Sequence, residues 1–198
     1  MKIGPKYKIA RRLGSPVFEK TQTQKFALRE GKKSKSRGRP KTDFGLQMNE
    51  KQKARMFYAV TEKQFAKYVS KSLENSKIAP ASTLYSILES RLDNVVWRAG
   101  LAPTHLSARQ RTAHGHFLVN GKRSYTPSMN LKKGDKIEIR EGSKDSAMFR
   151  DLEVVDSQVP TWIAYEPKTK SIVIKDTPVK TDNEVMFDLG QVIEFYQR

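Results

Sequence analysis

The sequence predicts an α+β fold: a mainly helical chain with a basic N-terminal arm and a small helix-helix-β-hairpin unit near its middle. Three observations carry this reading. From Glu89 to Gly100, Leu92, Val95, Val96 and Ala99 recur at i, i+3, i+4 and i+7, while Arg91, Asn94 and Arg98 fall off that stripe, so one helix face can pack and the other stays polar and basic. Phe117-Leu118-Val119 runs directly into Asn120-Gly121, the dipeptide that favours a type I′ hairpin turn because both residues tolerate positive φ. Good helix formers at Glu50–Tyr58, and the spacing of Phe65, Tyr68, Val69 and Ser72, predict two helices or one bent helix across Asp43–Asn75.

In chain order, residues 1–41 carry 14 lysines and arginines against two acids. Their apolar residues, Ile9, Leu13, Val17, Phe18, Phe26 and Leu28, are too few for a large core. The run from Lys32 to Lys41 reads as a solvated tail or localisation signal, or as an arm that orders against phosphates; the neighbouring segments favour the arm. Phe57, Tyr58, Phe65 and Tyr68 at helical spacing read as core in preference to a base-stacking ladder, and Lys51, Lys53 and Arg55 are the better candidates for phosphate contact. Pro80 and Ser82 interrupt the pattern, after which Leu84, Ile87 and Leu88 lead on to Leu92. Ser107-Ala108-Arg109-Gln110 has capping-box form, predicting that a second short helix starts there and ends at Gly115.

Beyond the hairpin turn, Pro127 limits strand pairing, Lys132-Lys133-Gly134-Asp135 is a turn, and Ile137 and Ile139 alternate with Glu138 and Arg140 in a half-buried strand. Val159–Tyr165 and Ile172–Ile174 read as short strands around Pro167–Lys170. Val192–Tyr196 is a strand or a last helical turn, which periodicity alone does not decide.

The 198 residues suffice for one or two domains with a real core. A formal net charge of +17 with a pI near 10.0 points to a polyanionic partner, nucleic acid ahead of an anionic membrane surface. The charge is uneven: +12 over residues 1–41, +9 over 42–150 and −4 over 151–198, so the partner surface is expected in the first three quarters. No apolar run approaches the length needed to span a bilayer, and Met1–Pro5 lacks the apolar stretch of a secretory signal. A membrane partner is therefore not expected. The absence of cysteine excludes a disulfide framework, a thiol nucleophile and a thiolate zinc site, and is compatible with a reducing compartment.

Catalytic constellations are weak. Gly115 to Lys122 has five residues between its glycines where a phosphate-binding loop has four, and Arg123 stands where Ser or Thr would hold magnesium. His114 and His116 bracket a glycine with no third ligand nearby, and His105 stands alone, so these read as surface or RNA-contacting histidines with no metal site. Asp93 beside Arg91 and Asn94 suits an ion pair better than general-base work. No serine has an identifiable His/Asp pair. The balance shifts from enzyme to binding protein.

Leu88–Gly100, Ser107–Gln110, His114-Gly115 and Val119-Asn120-Gly121-Lys122 together resemble the RNA-binding domain named after small-subunit ribosomal protein four, a domain also found in pseudouridine synthases, tyrosyl-tRNA synthetases and heat-shock RNA-binding proteins. The flanks discriminate. Gly4-Pro5-Lys6, Tyr7–Gly14 with Arg11-Arg12, Glu50–Arg55, and the stretch from Val159–Trp162 to Glu194-Phe195-Tyr196 resemble the bacterial or organellar ribosomal protein four family itself. One departure is plain: where many members carry Cys-x-x-Cys-Arg-Arg and bind zinc, this chain has Tyr7-Lys8-Ile9-Ala10-Arg11-Arg12, so the resemblance is to a zinc-free member whose arm is held by RNA and packing.

The resemblance implies a basic arm over 1–42, a helical domain over 43–87 completed by 151–198, and an inserted RNA-binding domain over 88–150. It implies a structural, non-enzymatic constituent of the small subunit that binds rRNA at a multi-helix junction and nucleates assembly of the subunit body. The expected partners are small-subunit rRNA, ribosomal protein five and mRNA near the entry channel, with a contribution to accuracy and, in some members, repression of their own mRNA. A bacterial cytoplasmic or an organellar ribosome would house it, and no cofactor is implied. The expected RNA-binding residues are Lys6, Lys8, Arg11, Arg12, Lys32, Lys33, Lys35, Arg37, Arg39 and Lys41 in the arm, and Lys51, Lys53 and Arg55 as phosphate neutralisers. Arg91, Asn94, Arg98, Ser107, Arg109, Gln110, His114, Lys122 and Arg123 would read the shape of folded RNA through phosphate and 2′-hydroxyl contacts. The alternatives are an RNA-modifying enzyme, for which neither flank has the length or pattern of a catalytic domain, and a DNA-binding repressor.

Overall fold

Side-chain caps and left-handed stops set the element boundaries. In chain order the helices and strands are α1 (Lys6–Leu13), α2 (Gln24–Gly31), α3 (Asp43–Phe57), α4 (Glu62–Leu73), α5 (Pro80–Glu89), α6 (Leu92–Arg98), α7 (His105–Ala113), β1 (Phe117–Val119), β2 (Lys122–Ser124), β3 (Lys136–Ile139), α8 (Glu141–Lys144), α9 (Ala147–Arg150), β4 (Ile163–Glu166), β5 (Ser171–Ile174) and α10 (Leu189–Gln197). The computed structural model describes residues 3–31, 42–74, 78–150, 159–179 and 185–198. The chain divides into two units, Met1–Leu84 with Lys180–Arg198, and Tyr85–Val179. No helix among the described residues is long and apolar enough to cross a membrane.

In the first unit, Thr42 accepts from the Gly45 N–H and Thr61 from the Gln64 N–H, capping α3 and α4. They are two helices, separated by a buried link in which Ala59 has φ +50°. Asp188 caps α10, so the ambiguous Val192–Tyr196 is helical. This helix packs on α3: Gln47 Nε2 donates to Glu194 at 2.9 Å, and the Asp188 N–H donates to Glu50 at 3.0 Å. Phe187 adds edge contacts to Phe57 and Tyr58, so these aromatics are core, as their spacing predicts.

The N-terminal segment is more folded than its composition suggests. Helix α1 ends at Gly14 (φ +67°) with the Ser15 N–H donating to the Ala10 carbonyl at 3.3 Å, a left-handed stop that favours glycine. Ala10, Leu13, Val17, Phe18 and Phe26 form a buried cluster. The basic arm expected over 1–42 thus carries a small core within residues 3–31: five well-placed apolar residues, too few for a large core, are enough for a local one. The run from Lys32 to Lys41 lies outside the described residues.

In the second unit, the apolar stripe of α6 is buried as predicted: Leu92, Val95, Val96 and Ala99 join Leu101, Ala108, Phe117, Ile137, Ile139, Ile172 and Ile174 in one core, each large side chain worth roughly 1.5–3 kcal/mol by removal from water. Asn120 (φ +49°) and Gly121 (φ +77°) make the turn between β1 and β2. Helix α7 starts two residues before the expected capping box. Thr104, with extended backbone, accepts from the Ser107 N–H at 3.1 Å; Ser107 and Thr104 are both capping residues by type, and only the backbone conformation picks one. The His116 N–H then reaches the Arg111 carbonyl at 3.2 Å around Gly115 (φ +71°), ending α7 as predicted.

The sheet is antiparallel in the order β2-β1-β3-β5-β4. The strands at 163–166 and 171–174 exist as predicted, but they do not complete the helical domain: Ile172 of β5 lies opposite Ile137 of β3, and residues up to Val179 belong to the second unit. Without β5, β3 would expose an apolar edge, and β5 supplies Ile172 and Ile174 to the same core. Ile172→Ala is therefore expected to cost about 2–5 kcal/mol of stability, read by urea unfolding, together with lost hydrogen-exchange protection in β3.

Candidate nucleic-acid interface

The polar side of α6 turns inward. Arg91 has 0% exposed surface, and Asp93 and Asn94 are buried beside it. The Arg91 Nε–H donates to Asp93 Oδ1 at 2.9 Å, and the same oxygen accepts the Asn94 backbone N–H at 3.0 Å. Glu89, also at 0% exposure, accepts from Arg98 Nε at 2.9 Å and Nη2 at 2.7 Å, and from Asn94 Nδ2 at 2.7 Å. Asn94 Oδ1 lies 3.1 Å from Nε2 of buried His105, whose ring stacks on Trp97 with centroids 3.8 Å apart. The Arg98 guanidinium sits 5.1 Å from the Trp97 ring centre. A buried carboxylate is costly unless paired and hydrogen-bonded, so Glu89 fixes where Arg98 and Asn94 stand.

Direct RNA contact by Arg91 and Asn94 is thus corrected: both are buried and committed inside the protein, and Arg98 is held by Glu89. They tie α6 to the end of α5 and the start of α7. His105, expected at the surface, is part of the same buried network. The N-terminus of α6 is tied down as well, its Leu92 and Asp93 N–H groups donating to the Met129 and Pro127 carbonyls at 2.9 and 3.1 Å.

In the first unit, Lys51 has 7% exposure. Its Nζ donates to Glu62 at 2.9 Å and lies 4.4 Å from the Phe195 ring centre. Lys53 pairs with Glu50, and Arg55 with Gln52 and Glu62. Burial pulls the Glu62 carboxyl upward, but hydrogen bonds from Lys51 and Tyr196 and the charges of Lys51 and Arg55 outweigh it, and its pKa falls below the ordinary 4.5. Tyr196 is raised by burial and then by its bond to Glu62. Of the three basic residues of α3 expected to neutralise phosphates, Lys51 is buried, while Lys53 and Arg55 are half-buried, and all three have partners within the unit that holds α3, α4 and α10.

The exposed cations lie elsewhere. Lys8, Arg11 and Arg12 are exposed on α1, while Lys6 is half-buried over the Phe18 ring. On the second unit, Gln110 of α7, His114 just past its end, and Lys122 and Arg123 of β2 are exposed, with Ser107 and Arg109 half-buried. Arg123 reaches back to the end of α7: its Nε donates to the Gly115 carbonyl at 2.8 Å and Nη2 to that of His114 at 3.2 Å. Unpaired carbonyls at a helix C-terminus attract a cation, so α7 and the hairpin form one basic corner. Sequence reasoning missed the exposed Lys132, Lys133 and Lys136 before and within β3, although the turn that carries two of them was legible. It also missed Arg140, whose Nε donates to Ser143 Oγ at 3.3 Å.

His116 lies within this corner, its Nδ1 3.0 Å from Ser143 Oγ. Desolvation first, then the positive charges of His114, Arg140, Arg111 and Arg123, hold its pKa below the ordinary 6.5. Tyr7 and Ala10 stand where the family motif has thiolates, and Ala10 is buried in the apolar cluster while Tyr7 packs on Phe26 at 5.7 Å.

Two outcomes are expected. Glu89→Gln should destabilise the protein by roughly 2–4 kcal/mol, because Arg98 loses its buried counter-charge, as measured by denaturant unfolding. For His116, the unfolded state binds the proton more readily than the folded one, so stability rises with pH through this window and is lost as pH falls below 6.5. Unfolding free energy should therefore drop between about pH 7.5 and about pH 5.5, with His116→Gln flattening that drop; Glu62, depressed below 4.5, contributes its own loss only at lower pH.

Comparison with known proteins gives this geometry its context. Residues 1–89 match the family described as ribosomal protein S4/S9 N-terminal domain, and residues 90–137 match the S4 domain. Small ribosomal subunit protein uS4 of Sulfurihydrogenibium sp. (strain YO3AOP1) is 40% identical, with 98% of this chain and 97% of the relative covered. The uS4 proteins of Cutibacterium acnes and Delftia acidovorans are 38% and 35% identical, covering 98% and 99% of this chain and 98% of each relative. Similarity of that extent, spanning both the N-terminal and the S4 domain, makes this chain a member of the small ribosomal subunit protein uS4 family.

Proposed function

We propose that the chain is a structural, non-enzymatic constituent of the small ribosomal subunit that binds its rRNA directly. The observation that carries this reading is the uS4 family match across almost the whole chain, and the basic corner of α7 and the hairpin gives it a physical basis. Electrostatic attraction to phosphates supplies affinity that falls with salt. The rigid placement of Gln110, His114, Lys122 and Arg123 by a folded helix and hairpin suits recognition of shape, through phosphates and 2′-hydroxyls, more than of base edges. Lys8, Arg11 and Arg12 on α1 offer a second set of phosphate contacts, and Lys6 stands beside them.

On the same reading, the protein is a primary rRNA binder that nucleates assembly of the subunit body, lies beside ribosomal protein five near the mRNA entry channel, and contributes to translational accuracy. The relatives compared above are bacterial, which favours a bacterial cytoplasmic ribosome over an organellar one. An RNA-modifying role would be established instead if uridines in RNA incubated with the purified protein were found modified.

The test has two arms. The endogenous protein should cosediment with small subunits after a high-salt wash; recovery only in the soluble fraction would overturn the assignment. With a transcribed small-subunit rRNA fragment, Lys122→Gln should reduce the slope of log affinity against log salt by about 1, whereas Lys51→Gln should leave the slope unchanged and lower the unfolding midpoint.

A further inference from the structure

We propose that Tyr125, just beyond β2, is a stacking platform for an unpaired base of the bound RNA; this rests on the rRNA-binding reading. Tyr125 is 55% exposed, a large aromatic surface left in water beside Lys122, Arg123 and the end of α7. Its ring is held in place. The Arg123 guanidinium lies 4.7 Å from the ring centre and is itself fixed by the Gly115 and His114 carbonyls. Gly115 supplies the seat: a Cβ there would stand 2.6 Å from both Arg123 Nε and Tyr125 Cε1, in a backbone conformation (φ +71°) that already favours glycine.

The backbone on either side is equally constrained. Ser124 pairs with Phe117 across the hairpin, and from residue 127 the chain is bound to the start of α6 through the Pro127 and Met129 carbonyls and the Leu131 N–H. An aromatic ring so anchored pays little ordering cost on binding. A nucleobase offers a π-face of matching size whatever its identity, and its phosphates find Lys122 and Arg123 within the same corner. An apolar protein partner would have to desolvate those cations without neutralising them, which argues for nucleic acid as the occupant.

The experiment measures binding of the full chain to a transcribed small-subunit rRNA fragment over a range of salt. Tyr125→Ala should bind roughly tenfold more weakly with a salt slope parallel to the wild type, because no phosphate contact is lost. Tyr125→Phe and Tyr125→Trp should retain affinity, and Tyr125→Leu should behave like the alanine variant. Ultraviolet crosslinking of the wild-type complex should place a nucleotide on the peptide containing Tyr125. Unchanged affinity in Tyr125→Ala, or full affinity in Tyr125→Leu, overturns the stacking role while leaving rRNA binding intact. Failure of the wild type to bind the fragment overturns the underlying reading and the platform with it.

Discussion

A carboxylate shut off from solvent governs the second unit. Glu89, at the end of α5, is made tolerable by partners that include Arg98 and Asn94, which donate hydrogen bonds to its carboxylate. Asn94 passes the constraint to His105, and His105 to Trp97, so the first residue of α7 is fixed by a charge two elements back. From α7 the chain of constraint runs through the Gly115 stop to Arg123 and the hairpin. The exposed corner is thus oriented from inside, and its placement depends on a polar network whose centre, Glu89, Asn94 and His105, is buried.

This division of labour changes what a basic composition means. Several of the arginines and lysines behind the net charge of +17 spend themselves on internal partners: Arg91 on Asp93, Arg98 on Glu89, Lys51 and Arg55 on Glu62. Those pairs are insensitive to salt to the degree that they are buried. Among the described residues, exposed cations such as Lys8, Arg11 and Arg12 of α1, Lys122 and Arg123 of the hairpin, and Lys132, Lys133 and Lys136 are open to a polyanion.

The apolar stripe of α6, the Asn-Gly hairpin, the Gly115 stop and the alternation in β3 were all legible, because each is a local pattern whose physics is complete within a few residues. The buried network was not. Arg91 and Asn94 sit where a polar helix face should be, and only tertiary structure shows that Asp93, Glu89 and His105 enclose that face. The pairing of Lys51 is not legible for the same reason, since its partners Glu62 and Phe195 come from other elements. The attachment of β5 to β3 is a pairing across a long stretch of chain, which strand patterns do not encode. The helical state of α10 was ambiguous until Asp188 was seen as its cap.

The pairing of α3 with α10 imposes an order on synthesis. Gln47 and Glu194, which bond across that contact, are 147 residues apart, and the whole second unit is translated between them. Until α10 emerges, Lys51 lacks its aromatic cover and Phe57 lacks Phe187, so the packing of α3 stays incomplete. Closing a coil of that length costs entropy; folding residues 85–179 first replaces most of the coil by a compact body and shortens the loop that remains. The central unit, once folded, therefore acts as a splint that shortens the loop the rest of the protein has to close.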